Sequence, residues 1–174
     1  MVLIGVELTS ANLNEVFADA KALEAAGADS LWCAGPDDPL VFLAALAAVT
    51  YRVRLVALDA KAAEAQRATL ERLSRGRLVL ATSALDPAAT ILVASGNAEA
   101  LARAVADAKV RDETMECWAR VPLPPSRAAW DELRAAYEQV GASGIVVPND
   151  PRLIDLLRNP DVVEDRSDMK LAFG

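Results

Sequence analysis

The sequence contains no histidine, the side chain that most often serves as a general base or as a metal ligand. It has only two cysteines, Cys33 and Cys117, and they are too far apart to form a CxxC pair. We therefore expect no metal site, and the low cysteine content favours a reduced, cytoplasmic protein.

Positive charge and long apolar runs are also scarce. The 18 Lys and Arg residues are outnumbered by 25 Asp and Glu residues, so the net charge is -7. Such a chain is poorly suited to binding the phosphates of nucleic acid or anionic membrane surfaces.

The longest apolar run, residues 39–49, is far shorter than the roughly 20 residues of a membrane span. The first residues lack the basic region of a signal peptide. We expect neither a nucleic-acid partner nor a membrane partner.

Apolar residues make up 53% of the chain but aromatic residues only 5%, which predicts a core of Ala, Leu and Val. Short apolar runs alternate with helical patterns, as in a repeating parallel β/α architecture. The predicted strands cover residues 2–8, 29–34, 52–58, 77–81, 90–94, 113–121 and 143–148. An eight-unit barrel usually takes about 250 residues. A chain of 174 residues with about seven strands is therefore short for a complete one. We expect one domain over residues 1–158 and a C-terminal tail over 159–174.

Three local patterns refine this prediction. The helix over residues 61–73 ends at a turn in which Gly76 can adopt a positive φ before the strand at 77–81. Residues 113–121 alternate apolar side chains with Glu116, Trp118 and Arg120, which is typical of a half-exposed strand. Residues 169–173 in the tail are a possible docking segment.

The helix predicted at residues 39–49 is apolar on almost every side. An outer helix of a single domain normally keeps a polar face, so this pattern favours a homodimer interface along the helix. We expect Asp at Phe42 and Leu46 to disrupt that interface. The alternative is an alanine-rich helix whose exposed face carries small residues.

Side chains at the carboxyl ends of the strands are the candidates for a site. Ser95, Gly96 and Asn97 follow a strand and open a helix, so their backbone amides could bind a phosphate. The simpler interpretation is that Asn97 is a helix N-cap. Glu7 interrupts an apolar strand near its end, and it is either a ligand or catalytic carboxylate or a structural partner of a cation such as Arg54.

For two further candidates we favour a structural role over a functional one. Cys33 is best explained as a packing residue, since nothing in the sequence lowers its pKa. Asp37, Asp38 and Asp59 could hold a divalent ion, but helix capping explains the adjacent pair more simply. The three tryptophans are too scattered for a cofactor site and are expected in the core or an interface.

Several segments in order resemble the luciferase-like monooxygenase superfamily, the flavin- or F420-dependent oxidoreductases of the bacterial-luciferase type. They are residues 22–32, 38–50 with 52–55, 69–80, and 91–96. The first three follow the family's order and spacing. The last resembles a glycine-rich strand end that the family carries late in its barrel, so the middle of the barrel is absent here.

The resemblance implies an α/β fold of the TIM type, a (β/α) barrel reduced to about seven mainly parallel strands. It implies a flavin- or F420-dependent oxidoreductase or monooxygenase, with FMN or F420 as cofactor and Glu7, Ser95, Gly96 and Asn97 as cofactor-binding residues. No catalytic residue is assigned. The missing middle and the lack of histidine favour an alternative, a catalytically inactive dimeric binding or interaction module derived from that family and binding no cofactor.

Overall fold

The computed structural model describes residues 1–9, 13–33, 38–61, 63–84, 90–95, 97–111 and 114–159. Its strands are β1 (Leu3–Leu8), β2 (Ser30–Cys33), β3 (Arg54–Leu58), β4 (Leu78–Thr82), β5 (Ile91–Ser95), β6 (Glu116–Arg120) and β7 (Gly144–Pro148). Its helices are α1 (Leu13–Ala26), α2 (Pro39–Val49), α3 (Glu64–Ser74), α4 (Ala98–Arg111), α5 (Arg127–Gln139) and α6 (Pro151–Arg158). The tail segment 169–173 lies outside the described residues.

The seven strands form a closed barrel in which every neighbouring pair is parallel, and β7 closes the barrel against β1. This architecture confirms the predicted reduced TIM-type barrel. Side chains alternate between two layers, because successive residues of a strand point to opposite faces. Outward-facing residues such as Val6 and Leu31 pack under the helices, and inward-facing residues such as Val56 and Val146 fill the barrel.

Two tryptophans occupy the centre of the barrel. Trp32 on β2 and Trp118 on β6 are almost completely buried, and their ring centroids lie 5.2 Å apart at an angle of 53°. The rings lie against Gly5 and Gly144, where a Cβ atom would overlap Trp32 and Trp118 respectively. Two glycines in the wall thus make room for two large rings, and the interior is packed rather than hollow.

The prediction that residues 113–121 form a half-exposed strand is wrong. One face of β6 packs under the helices through Cys117 and Ala119, and the other faces the barrel interior. The charged members of the inward face lie at the two ends of the barrel, where they form ion pairs. Glu116 binds Arg54 through two hydrogen bonds of 3.0 Å, and Arg120 binds Glu7. A barrel interior can therefore produce the same alternation as a solvent-facing sheet.

The turn between α3 and β4 has the predicted form. Gly76 has a φ of +76°, and the preceding Arg75 is also left-handed, with a φ of +59°. Arg77 then donates hydrogen bonds to the carbonyls of Ala47, Thr50, Val53 and Ser74 and to the Thr50 hydroxyl, at 2.7 to 3.2 Å. One guanidinium thus fixes the end of α2 and the start of β3 relative to β4.

Helix α2 begins as predicted, because the Asp38 carboxylate accepts a hydrogen bond of 2.9 Å from the Leu40 amide. Phe42 and Leu46, however, are buried within the chain itself, so the expectation that they form a dimer interface is wrong. The helix is apolar on most sides because α1, α3 and the barrel pack against it, and Val41 remains exposed. Within the described residues, no helix has the length and apolar character needed to cross a bilayer.

Gly144→Ala should lower the free energy of unfolding by about 2 kcal/mol, because the added methyl group overpacks the barrel centre. The overlap is with the six-membered ring of the Trp118 indole. The penalty should therefore shrink in a Trp118→Phe background. Urea denaturation of the four proteins tests this. An equal loss of unfolding free energy in both backgrounds would show that Gly144 is not needed to make room for the Trp118 ring.

Candidate functional site

A cleft of about 270 Å³ lies at the carboxyl ends of β1 and β7, beside α1. This end of a parallel barrel is where active and binding sites are built. The cleft is lined by Glu7, Leu8, Thr9, Glu15, Val16, Asp19, Pro148 and Asn149. Its volume lies just below the usual range for drug-sized ligands, so it would fit a small molecule or part of a larger one.

Glu7 lies in this cleft, as its position near the end of β1 predicted. Its carboxylate pairs with Arg120 at the end of β6, and the Glu7 side chain is 15% exposed against 47% for Arg120. The expected pairing with Arg54 is wrong, because Arg54 is the first residue of β3 and lies at the opposite end of the barrel. The glutamate that Arg54 binds is Glu116, whose Oε2 also accepts a hydrogen bond of 2.8 Å from the Trp118 indole.

The cleft is acidic. Arg120 balances the charge of Glu7, but Glu15 and Asp19 add two further carboxylates. The side-chain amide of Asn149 donates a hydrogen bond of 2.7 Å to Asp19 and so joins α1 to the end of β7. A cleft of this character favours a cation or a ligand rich in hydrogen-bond donors.

The predicted phosphate cradle lies partly outside the described residues. Ser95 ends β5 but its side chain is not described, and the same holds for the whole of Gly96. Asn97 accepts a hydrogen bond of 3.0 Å from the Ala100 amide, and its carbonyl accepts one from Leu101. Asn97 is therefore the N-cap of α4, the simpler of its two interpretations. Its role in cofactor binding stays a prediction.

The other strand-end candidates have structural partners. Asp59, at a φ of +52°, accepts hydrogen bonds from the Ser83 amide at 2.8 Å and the Ser83 hydroxyl at 2.7 Å. These bonds hold the pKa of Asp59 below its ordinary value. Asp38 caps α2, and Asp37 lies outside the described residues. In the described ranges no three acidic or cysteine side chains are grouped so as to hold a metal ion. Cys33 is buried, as expected of a packing residue.

The described residues of this face do not fit the phosphate groups that FMN and F420 carry. Arg120 is engaged by Glu7, and the described lining of the cleft has three carboxylates, Glu7, Glu15 and Asp19, and no lysine or arginine. At the start of α4, Asn97 already occupies the Ala100 amide, and Glu99 adds negative charge in the first turn. No catalytic step through either cofactor follows from this arrangement.

The partner of Glu7 is Arg120, which is not among the candidates predicted from the sequence. The signal was present, since Glu116 and Arg120 flank Trp118 on one face of a strand. Charges of opposite sign at the two ends of an inward face, with a bulky apolar residue between them, are suited to a packed barrel interior. Alternation of apolar and polar residues alone does not distinguish a strand that faces the barrel interior from one that faces solvent.

No protein-family model matches the chain, and no curated protein matches it. Among 29 similar chains of solved structures is tryptophan synthase from M. tuberculosis, in an open form with BRD0059 bound. It shares 15% sequence identity, with a TM-score of 0.51 and coverage of 90% of each chain. The likeness is one of fold.

Arg120→Met should lower the free energy of unfolding by about 2 kcal/mol, since it leaves a largely buried carboxylate without its cation. Adding Glu7→Gln should recover much of that loss. Urea denaturation gives both values. Arg103→Met is the matched control, because its ion pair with Glu99 is exposed on both sides and should contribute little. Equal losses for the two arginine variants would contradict the assignment.

Proposed function

We propose that this chain is a reduced relative of the luciferase-like oxidoreductases whose cofactor site is weakened or lost, and that it works as a dimeric binding module. One observation carries the proposal. Several described polar side chains at the barrel mouth bind each other or cap a helix, as in the Glu7–Arg120 and Asp59–Ser83 contacts and at Asn97. Beneath them the tryptophan pair fills the interior.

The ligand of such a module would bind in the acidic cleft beside Glu7. Glu15 and Asp19 would attract a cationic group, and Thr9 and Asn149 offer hydrogen bonds at the rim. A small amine fits these features better than a phosphate ester does.

An active flavin- or F420-dependent oxidoreductase is the second candidate. The closed parallel barrel with a cleft at its carboxyl face favours it, because the redox chemistry would come from the cofactor and the protein would supply binding and orientation. The resemblance of the ordered segments adds to this candidate.

Absorbance spectroscopy and titration separate the two candidates. The binding module predicts that the purified protein has no flavin or deazaflavin absorbance and gives no saturable response to added FMN or F420. Saturable binding of either cofactor, with one equivalent per chain, would contradict the module and favour the enzyme.

The dimer surface, in this proposal, is the groove between α2 and α3. Val41 and Leu73 are 67% and 58% exposed, which is unusual for large apolar side chains. They border a mainly apolar groove of about 350 Å³ with Ala44, Ala65 and Thr69 between them. Two copies of this groove could face each other across a two-fold axis.

Val41→Asp combined with Leu73→Asp should convert the protein from dimer to monomer without unfolding it, since both side chains are exposed in the single chain. Sedimentation velocity measures the change, and circular dichroism checks the fold. Val110→Asp is the matched control, because Val110 is 88% exposed on a different helix, α4. A dimer that persists in the double variant, or a monomeric wild type, would contradict this surface.

A further inference from the structure

We propose that the exposed arginines at the amino ends of β3 and β4 form a docking surface for an acidic segment of another protein. We call this the amino-end surface and define it by Tyr51, Arg52, Arg72 and Arg75. It lies at the opposite end of the barrel from the cleft beside Glu7. The proposal therefore goes beyond the binding function and does not depend on it.

Positive charge is distributed unevenly along the chain. Residues 51–77 contain seven Lys and Arg residues but three Asp and Glu residues, so this segment has a net charge of +4. The whole chain has a net charge of -7, which leaves -11 for the remaining residues. If the fold keeps the basic residues together, they form a surface whose potential differs in sign from that of the rest of the molecule.

Arg77 brings the two ends of this basic segment together. Its guanidinium donates a hydrogen bond of 3.1 Å to the Thr50 carbonyl and one of 2.7 Å to the Ser74 carbonyl. Arg52 comes two residues after Thr50, and Arg75 directly follows Ser74. The backbones of Arg52 and Arg75 are therefore held close to the same half-buried guanidinium.

The charges of this cluster act on one another. Burial lowers the pKa of Arg77 from its ordinary value, the charge of Glu24 opposes that shift, and the charge of Arg75 adds to it. Arg75 and Arg77 are thus close enough for their like charges to repel each other. An anionic group bound at the surface would relieve this repulsion.

Glu24 is the carboxylate that faces the cluster, and backbone amides already engage it. Its Oε1 accepts hydrogen bonds of 2.9, 2.6 and 2.9 Å from the amides of Tyr51, Arg52 and Val53. Although burial acts to raise it, these bonds and the charge of Arg52 hold the pKa of Glu24 below its ordinary value. Glu24 therefore fixes the start of β3 and leaves the arginine side chains to solvent.

Other carboxylates at this end of the barrel are engaged as well. Asp29 accepts a hydrogen bond of 2.7 Å from a backbone amide of β1, and Glu116 binds Arg54. Glu71 lies beside the surface, since its Oε1 is 3.8 Å from the position that a Cβ atom on Gly76 would take. It reduces the positive charge of the arginines at positions 52, 72, 75 and 77 without cancelling it.

The side chains of the amino-end surface are open to a partner. Tyr51 is 67% exposed, and Arg52, Arg72 and Arg75 are exposed too. Within the part of the chain that the structure describes, none of these four side chains makes a hydrogen bond or an ion pair. Tyrosine and arginine are the residue types that contribute most often to the binding energy of protein interfaces.

The backbone of Arg75 supports a role beyond folding. Its φ of +59° is left-handed, a conformation that is unfavourable for residues other than glycine, and glycine is the usual residue after the end of a helix. The dipole of α3 favours a cation here and offsets part of that free energy. An exposed residue that keeps an unfavourable conformation is a feature of functional surfaces.

An acidic protein segment fits this surface better than nucleic acid does. A short run of carboxylates can contact Arg52, Arg72 and Arg75 without reaching the acidic remainder of the molecule. A longer polyanion would meet the net charge of -11 on that remainder. Guanidinium groups bind carboxylates through paired hydrogen bonds, and the Tyr51 ring adds an apolar contact.

Fluorescence anisotropy of the full chain with a labelled acidic peptide tests the surface. The probe is a fluorescein-labelled peptide of about ten alternating Glu and Asp residues, the kind of motif that arginine clusters recognise. Binding should be saturable at low ionic strength and weaken by roughly tenfold at ~0.15 M salt, because exposed charges are screened. If the wild-type protein gives no saturable response at low ionic strength, the proposal is overturned.

A pair of double variants locates the binding. Arg52→Gln with Arg75→Gln should weaken peptide binding by roughly tenfold or more, because two of the contacting charges are lost. Arg103→Gln with Arg158→Gln is the matched control, since it removes the same charge from exposed positions on α4 and α6 and should bind as the wild type does. Equal binding by the two double variants would also overturn the proposal.

Arg75→Gly separates binding from folding. Glycine adopts a left-handed φ readily, so the urea midpoint should not fall, whereas peptide binding should weaken several-fold. A loss of affinity in this variant cannot then be attributed to unfolding. Unchanged affinity would show that Arg75 does not contact the partner and would contradict the surface as defined.

The test also covers the other possible occupants. A single-stranded oligonucleotide of the same charge should bind more weakly than the peptide, and tighter binding would assign the surface to nucleic acid instead. Self-association that Arg52→Gln with Arg75→Gln abolishes would assign it to a second copy of the chain. Either result would overturn the acidic protein partner, and neither bears on the groove at Val41 and Leu73.

Discussion

The inward face of β6 is the constraint on which the barrel depends. Glu116 reaches Arg54, Trp118 reaches Trp32, and Arg120 reaches Glu7, so each level of the interior is joined across the barrel to β1, β2 or β3. The two indole rings fill the centre of the barrel, where Gly5 and Gly144 provide the space. The ion pairs lie at the two ends, where water is near, and the apolar rings lie between them. The same strand that looked half-exposed by its pattern thus holds the two halves of the chain together.

This arrangement limits where chemistry could take place. Since the interior is packed, a ligand is left with the carboxyl-end rim, and there Glu7 is engaged by Arg120 and Asp59 by Ser83. Arg120, which could otherwise attract an anion, is balanced by Glu7, and Glu15 and Asp19 make the cleft acidic. These features are the reason to propose a binding module rather than an enzyme that binds a phosphate-bearing cofactor.

Much of the architecture was predictable because local signals determine it. Apolar runs predicted the parallel strands, Asp38 and Asn97 predicted helix starts, and Gly76 predicted the turn after α3. What the sequence could not show depends on contacts between distant residues. The apolar pattern of α2 predicts a partner subunit at Phe42 and Leu46, because it does not show that α1, α3 and the barrel bury these two side chains. The sequence predicted that Glu7 could pair with a cation but not which one, because the end of the barrel at which a charge lies depends on strand position. Of the site itself, the sequence predicted Glu7 at the barrel mouth but not Arg120 beside it.

The most direct test of this account concerns the tryptophan pair. Two indole rings 5.2 Å apart and tilted by 53° should interact as coupled chromophores and give an exciton couplet in the circular dichroism spectrum. The account predicts that Trp118→Phe abolishes the couplet while Trp130→Phe, which removes a buried indole from α5, leaves it in place. A couplet that survives Trp118→Phe, or that is absent from the folded wild-type protein, would contradict a barrel closed around these two rings.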